Sequence, residues 1–478
     1  FNFKATELNP GDSGIAAYEF RLLRDSAEWS ADSVNRQLDA GRTGYASALV
    51  DGQAWIIGGF NGDTAQNSIY YTPLNQQGQW SPRDWELLAG AELKEPRANF
   101  AFAQLQSGDL VAIGGSGADG TLDSLEIFSM GSKTWSRLAN NVLLKRSGAK
   151  VVEVAENLLW LIGGRANGEP QSSIVEIDLN SATLQVSELT GLSLSSARDN
   201  LQVAVQARAN GKKYLYVLGG SLGASPDITA VATVDVFDLS TRSRINNPPV
   251  LSQARYDYAL LQVPRLQEGG QLGDELWLLG GFADNLAVLS SVERIMPDGS
   301  LESGPHMISP RAQFGAAWLP ESESILAVGG AMDDLGAVVN SVEQLAYGDG
   351  EWSLQPPLSR DSGLVEHSLA IVGSGDQARI VAFGGLDGNY NFQPGSESRP
   401  LLEQVRGWET VTLDSPVFEL EEVNGFSGLN LQNGGKYYFQ LRVADSEGNK
   451  SLLSSSKGIL IDTALTRASV SSEQLPEE

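Results

Sequence analysis

Seven short apolar runs in the chain each end in a pair of glycines: WIIGG at Gly58-Gly59, VAIGG at Gly114-Gly115, WLIGG at Gly163-Gly164, YVLGG at Gly219-Gly220, WLLGG at Gly280-Gly281, LAVGG at Gly329-Gly330 and VAFGG at Gly384-Gly385. The second glycines follow one another at 56, 49, 56, 61, 49 and 55 residues. That period is the scale of a four-stranded propeller blade, a unit that cannot bury its sheet faces alone and must stack on its neighbours. A phosphate-binding loop would need its glycines spaced through a turn into a helix, with Lys-Ser/Thr or a helix N-terminus behind them. The stretch after Gly163-Gly164, RANGEPQSS, has neither. The pair therefore reads as a structural joint, because glycine takes positive φ and allows close approach of backbone or rings.

Each repeat carries further marks. An arginine precedes each pair at Arg42, Arg97, Arg146, Arg198, Arg255, Arg311 and Arg360, and an apolar strand begins from it, as in RANFAFAQL and RAQFGAAWL. Beyond the glycines comes a polar loop and a third strand with an acid behind a branched apolar residue: Glu126, Glu176, Asp235, Glu293, Glu343 and Glu403, with Tyr70 at that place in the first repeat. A fourth strand often carries tryptophan, at Trp135, Trp352 and Trp408. This pattern resembles the kelch repeat from about Arg42 to Leu413. The resemblance implies an all-β, seven-bladed propeller closed into a ring with few exposed edges. It says little about activity, since kelch propellers serve as binding modules and, less often, as enzymes.

At 478 residues the chain fits one large repeat domain and a small second one. Its 52 glycines against 19 prolines, with 41% hydrophobic and 19% charged residues, describe a folded, turn-rich protein. Formal charge is 33 minus 59, or −26, which disfavours nucleic acid and anionic lipid surfaces as partners and serves solubility. Cysteine is absent, so disulfides, thiolate metal sites and cysteine nucleophiles are excluded. No apolar run approaches a membrane span, so direct membrane insertion is not expected. The first residue is Phe1 and no charged leader with an apolar core appears. The expectation is a removed signal peptide, or a piece of a larger multidomain chain or surface assembly.

The flanks suggest a second unit cut in two. Residues 1–36 alternate in apolar character around a Pro-Gly-Asp turn, and 414–466 offer strands through Tyr437, Phe439, Leu441 and Val443 and through Ile459 and Ile461. The segment GKYYFQLRVADSEGNKS resembles the last strands of a fibronectin type III or immunoglobulin-like sandwich, and SGIAAYEF with Trp29 resembles its middle strands. The resemblance implies a propeller over 37–413 inserted into, or flanked by, a small β-sandwich, with 467–478 as a polar tail. A rival reading gives EWSADSVNRQLDAGR to the propeller, as a fourth strand closing blade 7 from the N-terminus. A sandwich strand supplied by another subunit is a third.

In a four-stranded meander the loop after strand two and the start of strand one share a face, so the seven arginines and seven post-glycine loops lie together. A rim of arginines could bind acidic ligands, yet pairing with the third-strand acids is more economical. From the glycine pair to the acid takes 11 residues in blade 2 (115 to 126), 15 in blade 4 (220 to 235) and 18 in blade 7 (385 to 403). The long blade 7 loop offers Asp387, Asn389, Tyr390, Asn391, Phe392 and Arg399, rigid aromatics among adaptable polar groups. Phe60, Arg165 and Phe282 stand directly behind glycine pairs and join this ligand-binding set. Packing against the second domain is the alternative use of the blade 7 loop. The alternation of Asp387, Asn389 and Asn391 suits Ca2+ ligation, but the glycine and closing Glu of an EF-hand are missing; Asp333-Asp334 and Asp284-Asn285 are further oxygen donors.

Two histidines, His306 and His367, give little material for nucleophilic catalysis. A carboxylate pair for glycosidic chemistry has 59 acids to draw on. The galactose oxidase type is similar in joining a kelch propeller to a sandwich, but its copper site needs a Tyr-Cys cross-link and this chain has no Cys. Sialidase S-x-D-x-G-x-x-W boxes are absent. The expected function is non-enzymatic recognition or adhesion, extracellular or at a bacterial-type cell surface, binding a glycan or an extracellular protein through the propeller loops, with no cofactor. A carbohydrate-active enzyme with carboxylates at the channel and a structural subunit of a surface fibre are the alternatives.

Overall fold

The computed structural model describes Ala5–Thr6, Ile15–Asp25, residues 29–31, residues 38–417 apart from 75–84, 181–183, 209–210, 224–227, 267–271, 334–336, 349 and 374–377, and the strands Glu419–Leu420, Lys436–Asp445, Ser454–Ser455 and Ile459–Leu460. Seven four-stranded antiparallel meanders form the body. Their first strands are Ala46–Val50, Ala101–Gln104, Lys150–Ala155, Gln202–Ala207, Ala259–Leu266, Gly315–Leu319 and Ser368–Val372. The molecule is a seven-bladed β-propeller.

The second strands explain the apolar runs that define the repeat. Gln53–Ile57, Leu110–Ile113, Leu158–Ile162 and Lys213–Leu218 are buried on both faces, because each blade is covered by a neighbour on either side. A strand with two covered faces reads as a continuous apolar run, whereas one wetted face would impose alternation. Between blades 1 and 2, Trp55 meets Phe128 edge-on at 5.6 Å, and within blade 2 Phe128 meets Trp135 at 5.5 Å. Between blades 7 and 1, Trp85 lies 5.0 Å from Phe383. Each such large side chain, once fully buried, contributes about 1.5–3 kcal/mol.

The glycine pairs are the joints of the ring. Both glycines of every pair have positive φ, 60° and 99° at Gly280 and Gly281 for example. The amide of the second glycine donates to a carbonyl of the next blade: Gly59 to Arg97 (2.8 Å), Gly115 to Arg146 (2.8 Å), Gly164 to Arg198 (3.1 Å), Gly220 to Arg255 (2.9 Å), Gly281 to Arg311 (2.7 Å), Gly330 to Leu364 (2.8 Å) and Gly385 to Arg42 (2.8 Å). The last bond ties blade 7 to blade 1. A Cβ on Gly58 would stand 2.7 Å from the Arg97 carbonyl and one on Gly219 2.6 Å from that of Arg255, so no side chain fits where the backbones meet.

Closure corrects the reading of blade 7. Its fourth strand is Ser30–Ala31 from the N-terminal segment, paired with Ser398 and Glu397 of the third strand Glu397–Pro400. Trp29 accordingly lies buried in the propeller, with the Arg399 guanidinium 5.8 Å above its ring, and is no part of a separate sandwich. The third-strand acid is Glu397, while Glu403 and Trp408 lie beyond the blade in Leu402–Val417. The span from glycine pair to acid is then 12 residues (385 to 397), as in blade 5 (281 to 293), so the blade 7 loop is not unusually long. Trp408 followed the repeat spacing by coincidence, and the tryptophan blade 7 needs comes from the other end of the chain.

The flanking segments do meet. Ile15–Asp25 pairs with Leu402–Val417 on one side and Lys436–Asp445 on the other, with Ser454–Ser455 and Ile459–Leu460 added to the latter. Head and tail thus build one five-stranded sheet, and Ala5–Thr6 pairs separately with Glu419–Leu420. A second sandwich layer is not shown among the described residues. Residues 467–478 lie outside them.

Candidate functional site on the loop face and channel neck

The repeat arginines are used up inside the blades. Arg97, Arg198, Arg255 and Arg311 are fully buried and pair with Glu126, Asp235 (2.8 Å), Glu293 (2.7 Å) and Glu343 (2.7 Å). Arg255 also donates to the Gly280 carbonyl (2.8 Å) and to Ser291 Oγ (3.0 Å), and the acid's other oxygen caps the Ser252 amide (2.8 Å). Arg42, which lacks a third-strand acid, takes Asp39 at 2.8 Å and lies 5.1 Å over the Tyr70 ring. Arg360 pairs with Glu397, but the backbone place of the repeat arginine belongs to Leu364. The seven do not form a cationic rim for a ligand.

Glu176 departs from the repeat. Val175 occupies the register of Glu293 in blade 3, and Glu176, one residue on, points to the opposite face. There it accepts from Trp160 Nε1 at 3.0 Å and pairs with Arg242.

The candidate loop residues separate into three groups. Arg399 and Phe282 are buried, at 1% and 8% exposure, Phe282 5.4 Å from Tyr256, and neither is open to a partner. Asp387 caps its own turn: Oδ1 accepts the amides of Asn389 (2.8 Å) and Asn391 (2.9 Å), and Oδ2 the Asn391 side-chain amide (3.2 Å). These bonds hold its carboxyl below the usual range although partial burial raises it. Asp333 and Asp284 likewise accept the amides of Ala337 and Ala230, both at 2.8 Å; Asp334 and the side chain of Asn285 lie outside the described residues. Arg165 is bound to Asp199 and the Gly223 carbonyl.

Phe60 and Tyr390 remain presented, 37% and 60% exposed. Phe60 is braced edge-on against Phe392 at 6.1 Å, across the junction of blades 1 and 7. Leu286 and Met332, in the post-glycine loops of blades 5 and 6, are 45% and 39% exposed and extend the same sector. Beneath it Tyr256, Phe282, Ala312, Ala331 and Val365 form an apolar cluster that holds the loops in place. The sequence reading missed Leu286 and Met332, though a large apolar residue inside an otherwise polar loop is a signal for them.

A second ring was also missed. The residue two beyond each repeat arginine, Gly44, Asn99, Gly148, Asn200, Asp257 and Gln313, and its counterpart Glu366 in blade 7, all have φ between 49° and 65°. Neighbours in this ring bond through the backbone: Asn99 to Gly44 (2.7 Å), Gly148 to Asn99 (2.8 Å), Gln313 to Asp257 (2.9 Å) and Glu366 to Gln313 (2.9 Å). They form the neck of the central channel where the first strands begin. Gly, Asn and Asp recurring third in R-T-G, R-A-N, R-S-G, R-D-N and R-Y-D were the visible sign of a left-handed position. Gln313 Nε2 donates to Asp257 Oδ2 at 3.0 Å. Burial raises the Asp257 and Glu366 carboxyls, the charge of Asp257 adding to the rise at Glu366.

No known protein-family profile matches the chain. It is 25% identical over 176 residues to a protein named leucine-zipper-like transcriptional regulator 1 homolog from Drosophila melanogaster, a match covering 35% of this chain and 17% of that protein. The chain thus spans less than a fifth of that relative's length. No helix among the described residues is long and apolar enough to cross a membrane.

Proposed function

We propose that the protein is a kelch-type recognition module, extracellular or cell-surface, that binds its partner without turnover through the post-glycine loops of blades 5, 6, 7 and 1. One observation carries this: Phe60, Leu286, Met332 and Tyr390 stand exposed on four successive blades, above a buried apolar layer. Rigid aromatic and aliphatic anchors on a fixed scaffold lose little entropy on docking and form the centre of recognition surfaces. A glycan or an extracellular protein segment would use the same aromatic faces. The similarity to a longer regulator whose match covers only a small part of its length fits a propeller used as a recognition part.

The test is a glycan and extracellular-protein binding screen with the full chain beside Phe60→Ala/Tyr390→Ala. Saturable binding that weakens at least about tenfold in the double variant, at unchanged melting temperature, is expected. Equal binding by both proteins would sink the loop-face assignment.

The two carboxylates of the neck, on either side of Gln313, support a second reading, a carbohydrate-active enzyme with Asp257 and Glu366 at the channel. A carboxyl held protonated beside one that ionises is what glycosidic acid catalysis requires. Hydrolysis of an aryl glycoside, abolished by Glu366→Gln, is its expected signature.

A further inference from the structure

We propose that the loop face selects a cationic peptide segment of another protein, one in which lysine or arginine alternates with large apolar side chains. This rests on the recognition reading above and narrows it to one class of partner. Each of the four exposed anchors stands within three residues of an acid in the same loop: Phe60 with Asp63, Leu286 with Asp284, Met332 with Asp333 and Tyr390 with Asp387. Backbone bonds close each loop around its pair, from Asn61 to Thr64 (3.3 Å), Ala283 to Ala287 (2.7 Å), Met332 to Ala337 (2.8 Å) and Asp387 to Asn391 (3.0 Å). The post-glycine loops of blades 2, 3 and 4 present no exposed large apolar side chain among the described residues.

The four loops form one surface. Across blades 7 and 1, Phe392 meets Phe60, and a Cβ on Gly62 would stand 2.8 Å from the Phe392 ring. Across blades 6 and 7, a Cβ on Gly388 would stand 3.5 Å from the Val338 side chain, and the bridge of Val338 to Ala331 closes the blade 6 loop. Phe282 and Ala331, which open the loops of blades 5 and 6, share the apolar cluster beneath. A segment laid along these loops therefore meets an apolar anchor and an acid at each blade it crosses.

Charge and side-chain type select the partner. Residues 60–68, 282–291, 331–341 and 386–396, which make up the four loops, include no lysine or arginine. Asp63 and Asp284 are exposed and have no ion-pair partner among the described residues. The amide bonds to Asp284 and Asp387 orient these carboxylates without neutralising them. An acidic partner is therefore repelled, and a basic one is steered onto the face. Leu286 and Met332 decide between peptide and glycan. A sugar ring stacks on aromatic faces, which these two side chains lack, whereas the apolar side chains of a peptide pack on aliphatic and aromatic anchors alike.

The experiment is titration calorimetry on the full chain with an octapeptide that alternates lysine with leucine and phenylalanine. Its controls are the same peptide with glutamate for lysine, octalysine, and oligomers of N-acetylglucosamine and of glucosamine as neutral and cationic glycans. The lysine-apolar peptide is expected to bind saturably, about tenfold or more tighter than any other probe, and to weaken as salt rises. Asp63→Asn/Asp284→Asn should weaken it at least about threefold and flatten the salt dependence, and Phe60→Ala/Tyr390→Ala at least about tenfold, both at unchanged melting temperature. Equal binding of octalysine overturns the proposal, since the net charge of −26 would then account for the attraction. Equal or tighter binding of the glutamate peptide or of either glycan also overturns it; the loop-face reading stands where that binding is lost in Phe60→Ala/Tyr390→Ala and falls where it is retained. Peptide binding unchanged in both double variants overturns the proposal and the loop-face reading together. Absence of saturable binding by the lysine-apolar peptide at millimolar concentration overturns the proposal alone, the loop-face reading then resting on the glycan and extracellular-protein screen.

Discussion

Blade 5 and blade 3 hold the same joint with different chemistry. In blade 5 the buried Arg255 reaches the Gly280 carbonyl, the Ser291 hydroxyl and the Glu293 carboxylate. In blade 3 Arg146 makes the equivalent bonds to the Gly163 carbonyl (3.1 Å) and Ser173 (2.9 Å to O, 2.7 Å to Oγ), but Val175 stands where the acid would be. Both blades nevertheless pass the same glycine-to-carbonyl bond to the next blade. What the ring requires of the arginine is therefore the anchoring of the glycine turn. The ion pair serves to compensate a guanidinium that burial has taken out of water, and blade 3 manages with neutral hydrogen-bond acceptors and the charge of Glu188, which faces Val175 without bonding Arg146.

Breaking the joint should separate the two blades by the size of the loss. Arg255→Met strands Glu293 as a buried unpaired carboxylate, and a cost of about 3–5 kcal/mol is expected in denaturant unfolding. Arg146→Met leaves neutral carbonyl and hydroxyl groups without a donor and Glu188 without its neighbouring charge but no buried bonded carboxylate, so about 1–3 kcal/mol is expected. Equal costs would mean that the carboxylate contributes nothing beyond the shared bonds.

Blade 7 sharpens the comparison through pH. Where other blades place Tyr45, Phe100, Tyr258 or Phe314 between blades, it has His367, buried, with neither ring nitrogen bonded. Burial, helped by the charges of Arg360 and Arg311, pushes its pKa down to about 3, against about 6.5 for an unfolded histidine. Between those values the unfolded chain binds the extra proton, so stability is full above pH 6.5 and falls as pH drops toward 3. His367→Phe should remove this acid-side loss, measured as the slope of melting temperature against pH from 6.5 to 4. An unchanged slope would mean that other groups set it. The smallest effect is expected from Glu176→Gln, which loses the part-exposed pair with Arg242 at a cost of about 0–1 kcal/mol.

Much of this was legible in the chain. The seven glycine pairs gave blade number and spacing because the joint needs positive φ and an absent Cβ at the same two places in each repeat. The acids Glu126, Asp235, Glu293 and Glu343 were readable because strand alternation fixes which face a residue takes. The same rule exposes Glu176, one step out of register. Glu397 was misassigned and Trp29 given first to the sandwich, while the rival reading of EWSADSVNRQLDAGR as the closing strand of blade 7 is the one the structure bears out; no local pattern chooses between them, because the pairing of Ser30 with Ser398 spans the whole propeller.

The functional surface was less legible. Exposure of Phe60 and Tyr390 against burial of Phe282 and Arg399 depends on neighbours hundreds of residues apart, such as Phe392 over Phe60 and Trp29 under Arg399. Asp257 and Glu366 are unremarkable in the sequence and join one ring, each bonded to Gln313 through the backbone, only because the repeats close around one axis. The sequence by itself determined the repeat, its strands and its joints, since these follow from local φ preference and two-residue periodicity. Tertiary closure alone decided which ends of the chain meet, which loops stand proud and which charges share the neck, because each depends on distances that no local rule contains.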